Sequence, residues 1–298
     1  APRPPVSYFA SIPVSFPLIG LTQFVQYLVA ARAAGLSPSE LRSHFSGMSG
    51  HSQGLATAAA IAASTDDASF ERNAAKALTW LFFAGYRGQQ HFPVLALEPS
   101  MIQESVEAGF GTPSPMLTVV GLTLKELEPH VAKTNKHLPD NSQLEVSLHN
   151  GPKAFVVTGP PKSLYGLVAS LRKIMAASGV EQNKVPFSQR KPVVFLRFLV
   201  VGVPYHSQYL KDGVEQLLQE DLKGEELFEA SALQTTVFNT EDGSDLRKAS
   251  GSLTRSITEQ VFTRHIHWTA ATDFPASATH AVDFGAGGLN GIGPLTSR

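Results

Sequence analysis

The pentapeptide Gly50-His51-Ser52-Gln53-Gly54 constrains this chain more than any other stretch of it. It runs straight into Leu55-Ala56-Thr57-Ala58-Ala59-Ala60-Ile61-Ala62-Ala63, a helix-compatible run of mostly small side chains. A serine between glycines at the start of such a helix has the form of a nucleophile elbow, a sharp strand-to-helix turn. Glycines are needed there because neighbouring backbone approaches closely. The helix that follows points free N–H groups at the serine, where oxyanion charge would develop. The preceding strand, expected over 43–49 and near Phe45, is polar and contains Gly47. Taken alone, the pentapeptide reads equally well as an ordinary Gly/Ser turn.

The surrounding pattern predicts an α/β chain. Leu18, Leu21, Val25, Leu28 and Val29 recur at helical spacing, giving a helix over 17–35 that stops at Gly35. Pro2, Pro4, Pro5, Pro13 and Pro17 predict a start that is neither signal peptide nor helix. Ser37 and Pro38 open a short helix to Ser43, and a second apolar helix covers 70–88. From Met116 the order is strand 116–120, helix 123–136 with a Thr123/Glu126 capping box, and strands 144–149 and 155–158 joined at Asn150-Gly151. A helix over 161–177 and a strand over 194–198 follow. This is the order of a split βαβ, ferredoxin-like unit. The expected fold is therefore a hydrolase-like α/β core with a parallel sheet, built from 1–114 and 200–298, with a ferredoxin-like subdomain inserted at 115–199.

Composition removes several classes of function. A net charge of −1 gives no basic surplus for neutralising phosphates, so no nucleic-acid partner is expected. With no cysteine in 298 residues, disulfides, thiolate metal sites and a cysteine nucleophile are excluded, and no metal is expected. No apolar run is read as approaching the ~18 residues of a membrane span.

The second candidate is His206 in Val203-Pro204-Tyr205-His206-Ser207-Gln208-Tyr209-Leu210, just after a strand and before a helix. It is one of ten histidines and by itself carries little. Gly-His-Ser at an elbow, a His-Ser pair much later and a ferredoxin-like unit between them resemble the malonyl/acetyl transferase family of fatty acid and polyketide synthases. Pro17-Leu18-Ile19-Gly20, Pro113-Ser114-Pro115-Met116-Leu117, Ser163-Leu164-Tyr165-Gly166-Leu167 and Asp242-Gly243-Ser244-Asp245-Leu246-Arg247 are similar to the acetyltransferase domain of fungal-type fatty acid synthase β subunits. The similarity runs from about residue 13 to the end.

That resemblance implies a ping-pong acyl transfer. Ser52 would take acetyl or a short acyl group from coenzyme A and pass it to the phosphopantetheine thiol of an acyl carrier protein. His206 would serve as base and then acid. No cofactor would be bound permanently. The implied partners are the carrier domain of the synthase α subunit and other synthase domains in a hetero-oligomeric, cytoplasmic complex. A backbone carbonyl would orient His206, and Arg264 in Arg264-His265-Ile266-His267-Trp268 matches that stretch. The Gln53 N–H would be one oxyanion donor. The family's second donor lies in a Gly-Gln-Gly stretch absent before Ser52, so the chain is expected to start inside the domain, its opening strand missing. Malonyl-specific members hold the substrate carboxylate with an arginine. Aligning Leu81-Phe82-Phe83-Ala84-Gly85 puts Ala84 there, with Arg87 a rival three residues on. Asn150 matches a turn lining the substrate channel. Three other readings compete: an α/β-hydrolase using His280 as its late histidine, a polyketide starter-unit transferase, and a scaffold module with an inert site.

Overall fold

Two of the prolines near the chain's start sit where helices tolerate them. The computed structural model describes residues 3–92, 96–177, 179–287 and 291–296. Its first two helices, α1 (Val6–Ala10) and α2 (Ile12–Ala33), correct the expectation of a non-helical start. Pro5 is the N-cap of α1 and Pro13 lies in the first turn of α2, where a missing N–H forfeits no helical bond. Only Pro17 lies inside the helix. By length and composition α2 could also cross a bilayer, contrary to the reading that no run approaches that length. Here its Phe16, Gly20, Phe24, Tyr27 and Ala31 are buried in the core, while Leu18, Leu21, Val25 and Val29 are exposed.

The short helix α3 (Pro38–Ser43) starts at the Ser37/Glu40 capping box. All nine residues of α4 (Gly54–Ala62) are buried, which explains their small side chains: α2 and α5 (Asp67–His91) both pack against α4. Where α2 meets α5 the contact uses glycine. A Cβ on Gly85 would lie 2.6 Å from the Ile12 carbonyl carbon, and one on Gly20 would collide with Leu81. Trp80 is fully buried in α5 and donates its indole N–H to Thr258 Oγ1 at 3.1 Å.

Among the described residues the core's parallel sheet is two short strands, β1 (Met48–Ser49) beside β6 (Val237–Phe238). β1 begins three residues beyond Phe45, immediately before the elbow. After α6 (Pro99–Glu107) comes a five-stranded sheet. β2 (Met116–Val120), β3 (Glu145–Gly151), β4 (Ala154–Thr158) and β5 (Phe195–Phe198) alternate with α7 (Leu124–Asn135) and α8 (Pro161–Arg172). With β7 (Ile266–His267) at one edge, the strand order is β5-β2-β4-β3-β7, antiparallel through the first four. Leu127, Val131, Leu164, Leu167 and Leu171 of the two helices form one apolar cluster with Leu117, Val119 and Val157 of the sheet.

Two details of this sheet position the site. First, β3 runs on through Gly151, so the hairpin turns at Pro152-Lys153 rather than at Asn150-Gly151. The register shifts between His149 and Gly151, leaving Asn150 as the extra residue of a bulge. A bulge re-aims a side chain. Second, β7 (Ile266–His267) returns from the later part of the chain and pairs in parallel with β3. It follows α9 (Lys211–Gln216) and α10 (Leu253–Phe262). Ile266 and Trp268 pack there with Met116, Leu148 and Val156.

Gly85→Ala should push α2 off α5, because the clash is with rigid backbone. The expected loss is about 1–3 kcal/mol of unfolding free energy, read from the denaturant midpoint. An unchanged midpoint would show that α2 is not docked as described.

Candidate active site

Ser52 sits between β1 and α4 with φ of +55°, a left-handed conformation disfavoured for residues bearing a Cβ. Gly50 makes the turn possible, since a Cβ there would run into the backbone of Gly54 and Leu55. Gly54 and Leu55 donate their N–H groups to the carbonyls of His51 and Ser52, at 3.0 and 3.1 Å, closing the turn into α4. The Gln53 N–H has no protein acceptor among the described residues. It is a free donor beside the serine hydroxyl at a helix N-terminus, suited to developing negative charge.

His206 is the serine's partner. Ser52 Oγ and His206 Nε2 are 2.8 Å apart. The histidine also has a positive φ, +62°, held because its N–H donates to the Val261 carbonyl (3.2 Å) and that of Ser207 to the Phe262 carbonyl (3.0 Å). Its Nδ1 faces two main-chain carbonyls at the end of α10, Gln260 at 2.8 Å and Arg264 at 3.1 Å. Carbonyls only accept, so Nδ1 carries the proton and Nε2 is left bare to accept from the Ser52 hydroxyl. No carboxylate touches the imidazole among the described residues. Burial holds the ring's pKa down at about 3, with the nearby His51 adding to the effect and the two carbonyls opposing it. The imidazole is therefore neutral at ordinary pH.

The other candidates fall into place unequally. Asn150, aimed by its bulge, puts Oδ1 2.8 Å from His51 Nε2, and the Trp268 ring lies edge-on 5.0 Å from the His51 ring. Asn150 thus braces the elbow directly. Ala84 is fully buried in α5, and its carbonyl accepts the Tyr205 hydroxyl at 2.9 Å. Since Tyr205 precedes His206, the chain at Ala84 is tied to the histidine loop. Arg87 is committed elsewhere: it donates twice to Asp221 (2.7 and 2.9 Å), to Glu220 (2.7 Å) and to Gln90 (2.9 Å). Its side chain is 10% exposed, so breaking that cluster would leave buried carboxylate unpaired. Arg264 uses its carbonyl for His206, while its side chain pairs with Glu241 and Glu259. His280 is exposed and bonded to Thr279, so no triad forms with it.

Gln260, Trp268 and His51 in its bracing role were missed by the sequence reading. No His/Asp/Glu grouping suited to a metal occurs among the described residues. A groove of about 540 Å³ lined by Phe110, Met175, Val194 and Leu196 includes none of the site residues.

A bent serine and a late histidine thus meet across an α/β core, Ser52 Oγ lying 2.8 Å from His206 Nε2. A family described as starter unit:ACP transacylase in aflatoxin biosynthesis matches residues 1–192, and the chain belongs to that family. It is 48% identical to the fatty acid synthase subunit beta of Schizosaccharomyces pombe and 45% identical to that of Saccharomyces cerevisiae. Each alignment covers 99% of this chain but 14% of the relative. The chain thus spans about one seventh of the length of these curated relatives. Among solved structures, an acyl-carrier-protein S-malonyltransferase from Burkholderia pseudomallei has a TM-score of 0.65 at 18% identity, covering 99% of this chain and 77% of that one. The fold is accordingly α/β, with the mixed parallel and antiparallel sheets described above.

The depressed pKa of His206 sets a pH dependence. Because folding holds this histidine neutral, the unfolded chain binds more protons between its ordinary value of 6.5 and about 3. Stability should fall as pH drops through that window. Labelling of Ser52 by a serine-directed phosphonate should stay flat from about pH 8 down to 6 and decline only well below. A limb centred near 6.5 would show a solvated imidazole and contradict this geometry.

Proposed function

We propose that this chain is an acyl carrier protein S-acyltransferase that moves acetyl, or a short acyl group, from coenzyme A to Ser52 and on to a carrier pantetheine thiol. The observation that carries the reading is the 2.8 Å contact between the bent Ser52 and a neutral, carbonyl-held His206.

In the first half-reaction Ser52 Oγ attacks the thioester carbon as its proton passes to His206 Nε2. The Gln53 N–H receives the oxyanion. Collapse expels the coenzyme A sulfur, which takes the proton back from Nε2. In the second half the pantetheine thiol gives its proton to Nε2, and its sulfur attacks the Ser52 ester. Ser52 then leaves with that proton. The dyad needs no acidic third member because the Gln260 and Arg264 carbonyls fix the tautomer.

We read 115–199 as a ferredoxin-like subdomain inserted between two parts of the transferase core, 1–114 and 200–298. The strand order β5-β2-β4-β3 with α7 and α8 on one side supports this. The partner is the carrier domain of a fatty acid synthase, working in a multienzyme complex in the cytoplasm, in keeping with the fungal relatives. The family's description favours one second reading, a starter-unit transferase that loads a polyketide synthase. The chemistry is the same and only the receiving carrier differs.

Ala84 sets what the site accepts. With Arg87 tied to Asp221 and Glu220, no arginine at either aligned position is free for a malonyl carboxylate. An unpaired buried carboxylate costs roughly 3–5 kcal/mol. Alanine is also smaller than isoleucine, so chains longer than acetyl should be tolerated better than with isoleucine at this position.

After brief mixing with acetyl-coenzyme A, peptide mass spectrometry should find the acetyl group on the Ser52 peptide, and none in Ser52→Ala. Acetyl on another residue would sink the assignment. Comparing kcat/KM for acetyl, hexanoyl and malonyl donors tests the pocket. Ala84→Ile should cut hexanoyl relative to acetyl ~10-fold or more, and Ala84→Arg should gain malonyl transfer. Unchanged ratios would make Ala84 core packing.

A further inference from the structure

His206 is held by two separate segments. The loop 203–210 carries it, and the stretch 260–265 supplies the carbonyls that orient its ring. Main-chain bonds join them at Val261 and Phe262. Beyond those bonds, Gln208 on one segment and His265 on the other meet a single side chain from a third place, Glu145 at the first position of β3. Glu145 Oε1 accepts the Gln208 N–H at 3.2 Å, and Oε2 lies 3.1 Å from His265 Nε2. A second tie runs alongside, the Tyr209 hydroxyl donating to the Gln143 carbonyl at 2.7 Å.

We infer that Glu145 is a positioning residue for the Ser52–His206 pair, its carboxylate clamping the loop that carries the imidazole to the segment that orients it. The inference rests on the reading of that pair as the reacting groups. His265 follows Arg264 directly, so movement of its ring shifts the carbonyl facing Nδ1. Gln208 lies two residues after His206, whose left-handed backbone has to be held from both sides. The Glu145 and His265 side chains are 27% and 37% exposed. A pair so open to water adds little to global stability. A small displacement of a base, by contrast, is felt strongly in rate. The clamp therefore acts on geometry rather than on folding, and it makes the placement of β3 part of the site.

The test uses the full chain with Glu145→Ala, Glu145→Gln and His265→Ala. Two readouts are taken on each: Ser52 acylation from acetyl-coenzyme A, and Ser52 labelling by a fluorophosphonate, which reports on the Ser–His pair without coenzyme A. Glu145→Ala should lower kcat and the labelling rate together by about 10- to 100-fold, with KM and melting temperature essentially unchanged. Glu145→Gln, which keeps an acceptor for Gln208 and a polar partner for His265, should recover most of the rate, and His265→Ala should fall between. Wild-type rates in Glu145→Ala, a KM effect alone, a Gln variant as slow as the Ala variant, or loss of rate that tracks loss of fold would each overturn the clamp. If labelling depends on Glu145 as stated while coenzyme A donors never acylate Ser52, the clamp stands and the acyl-transfer reading falls.

Discussion

Two backbone carbonyls gripping one imidazole nitrogen are the constraint on which the rest of this structure depends. Gln260 and Arg264 at the end of α10 fix the proton on His206 Nδ1, and this alone makes Nε2 an acceptor for Ser52. The grip needs α10 to end where it does. Gln260 cannot stray, because its side-chain oxygen takes both the N–H and the hydroxyl of Thr240, at 2.8 and 2.9 Å. Its carbonyl is thus part of the buried core. A carboxylate in its place would have to be desolvated at considerable cost. The dyad obtains the same tautomer from dipoles that folding has already placed.

The serine side depends on close approach. Gly50 lets the elbow fold against α4, and the small side chains of α4 let it sit inside the core between α2 and α5. The His51 ring is then held by Asn150 and Trp268, which come from opposite sides of the β3–β7 seam. The β3–β7 seam in this way also steadies the turn that carries Ser52.

Much of this was legible in the sequence where local chemistry decides it. The elbow was readable because only glycine fits at Gly50, and the α7 capping box because Thr123 and Glu126 bond reciprocally. Ser52 and His206 come together as their motifs implied. Other features were not legible. A main-chain carbonyl serves whatever side chain it belongs to, so Gln260 left no signal. Asn150-Gly151 is a common turn pair, yet the chain places it inside a bulge because Gly151 pairs with Ala154 and the turn falls at Pro152. The N-terminal prolines suggested an irregular start, but capping and first-turn positions absorb two of them. Arg87 was a rival for the arginine position, and nothing local showed that the fold would bring Asp221 and Glu220 to it from a distant segment.

The central claim is that Ser52 is activated by a neutral His206 whose tautomer is set by carbonyls. Nitrogen-15 NMR of the imidazole at neutral pH tests it most directly, since the two ring nitrogens differ in shift according to which carries the proton. The account predicts one protonated nitrogen, Nδ1, and a bare Nε2 whose signal changes in Ser52→Ala. A proton on Nε2, or a doubly protonated ring, would contradict it.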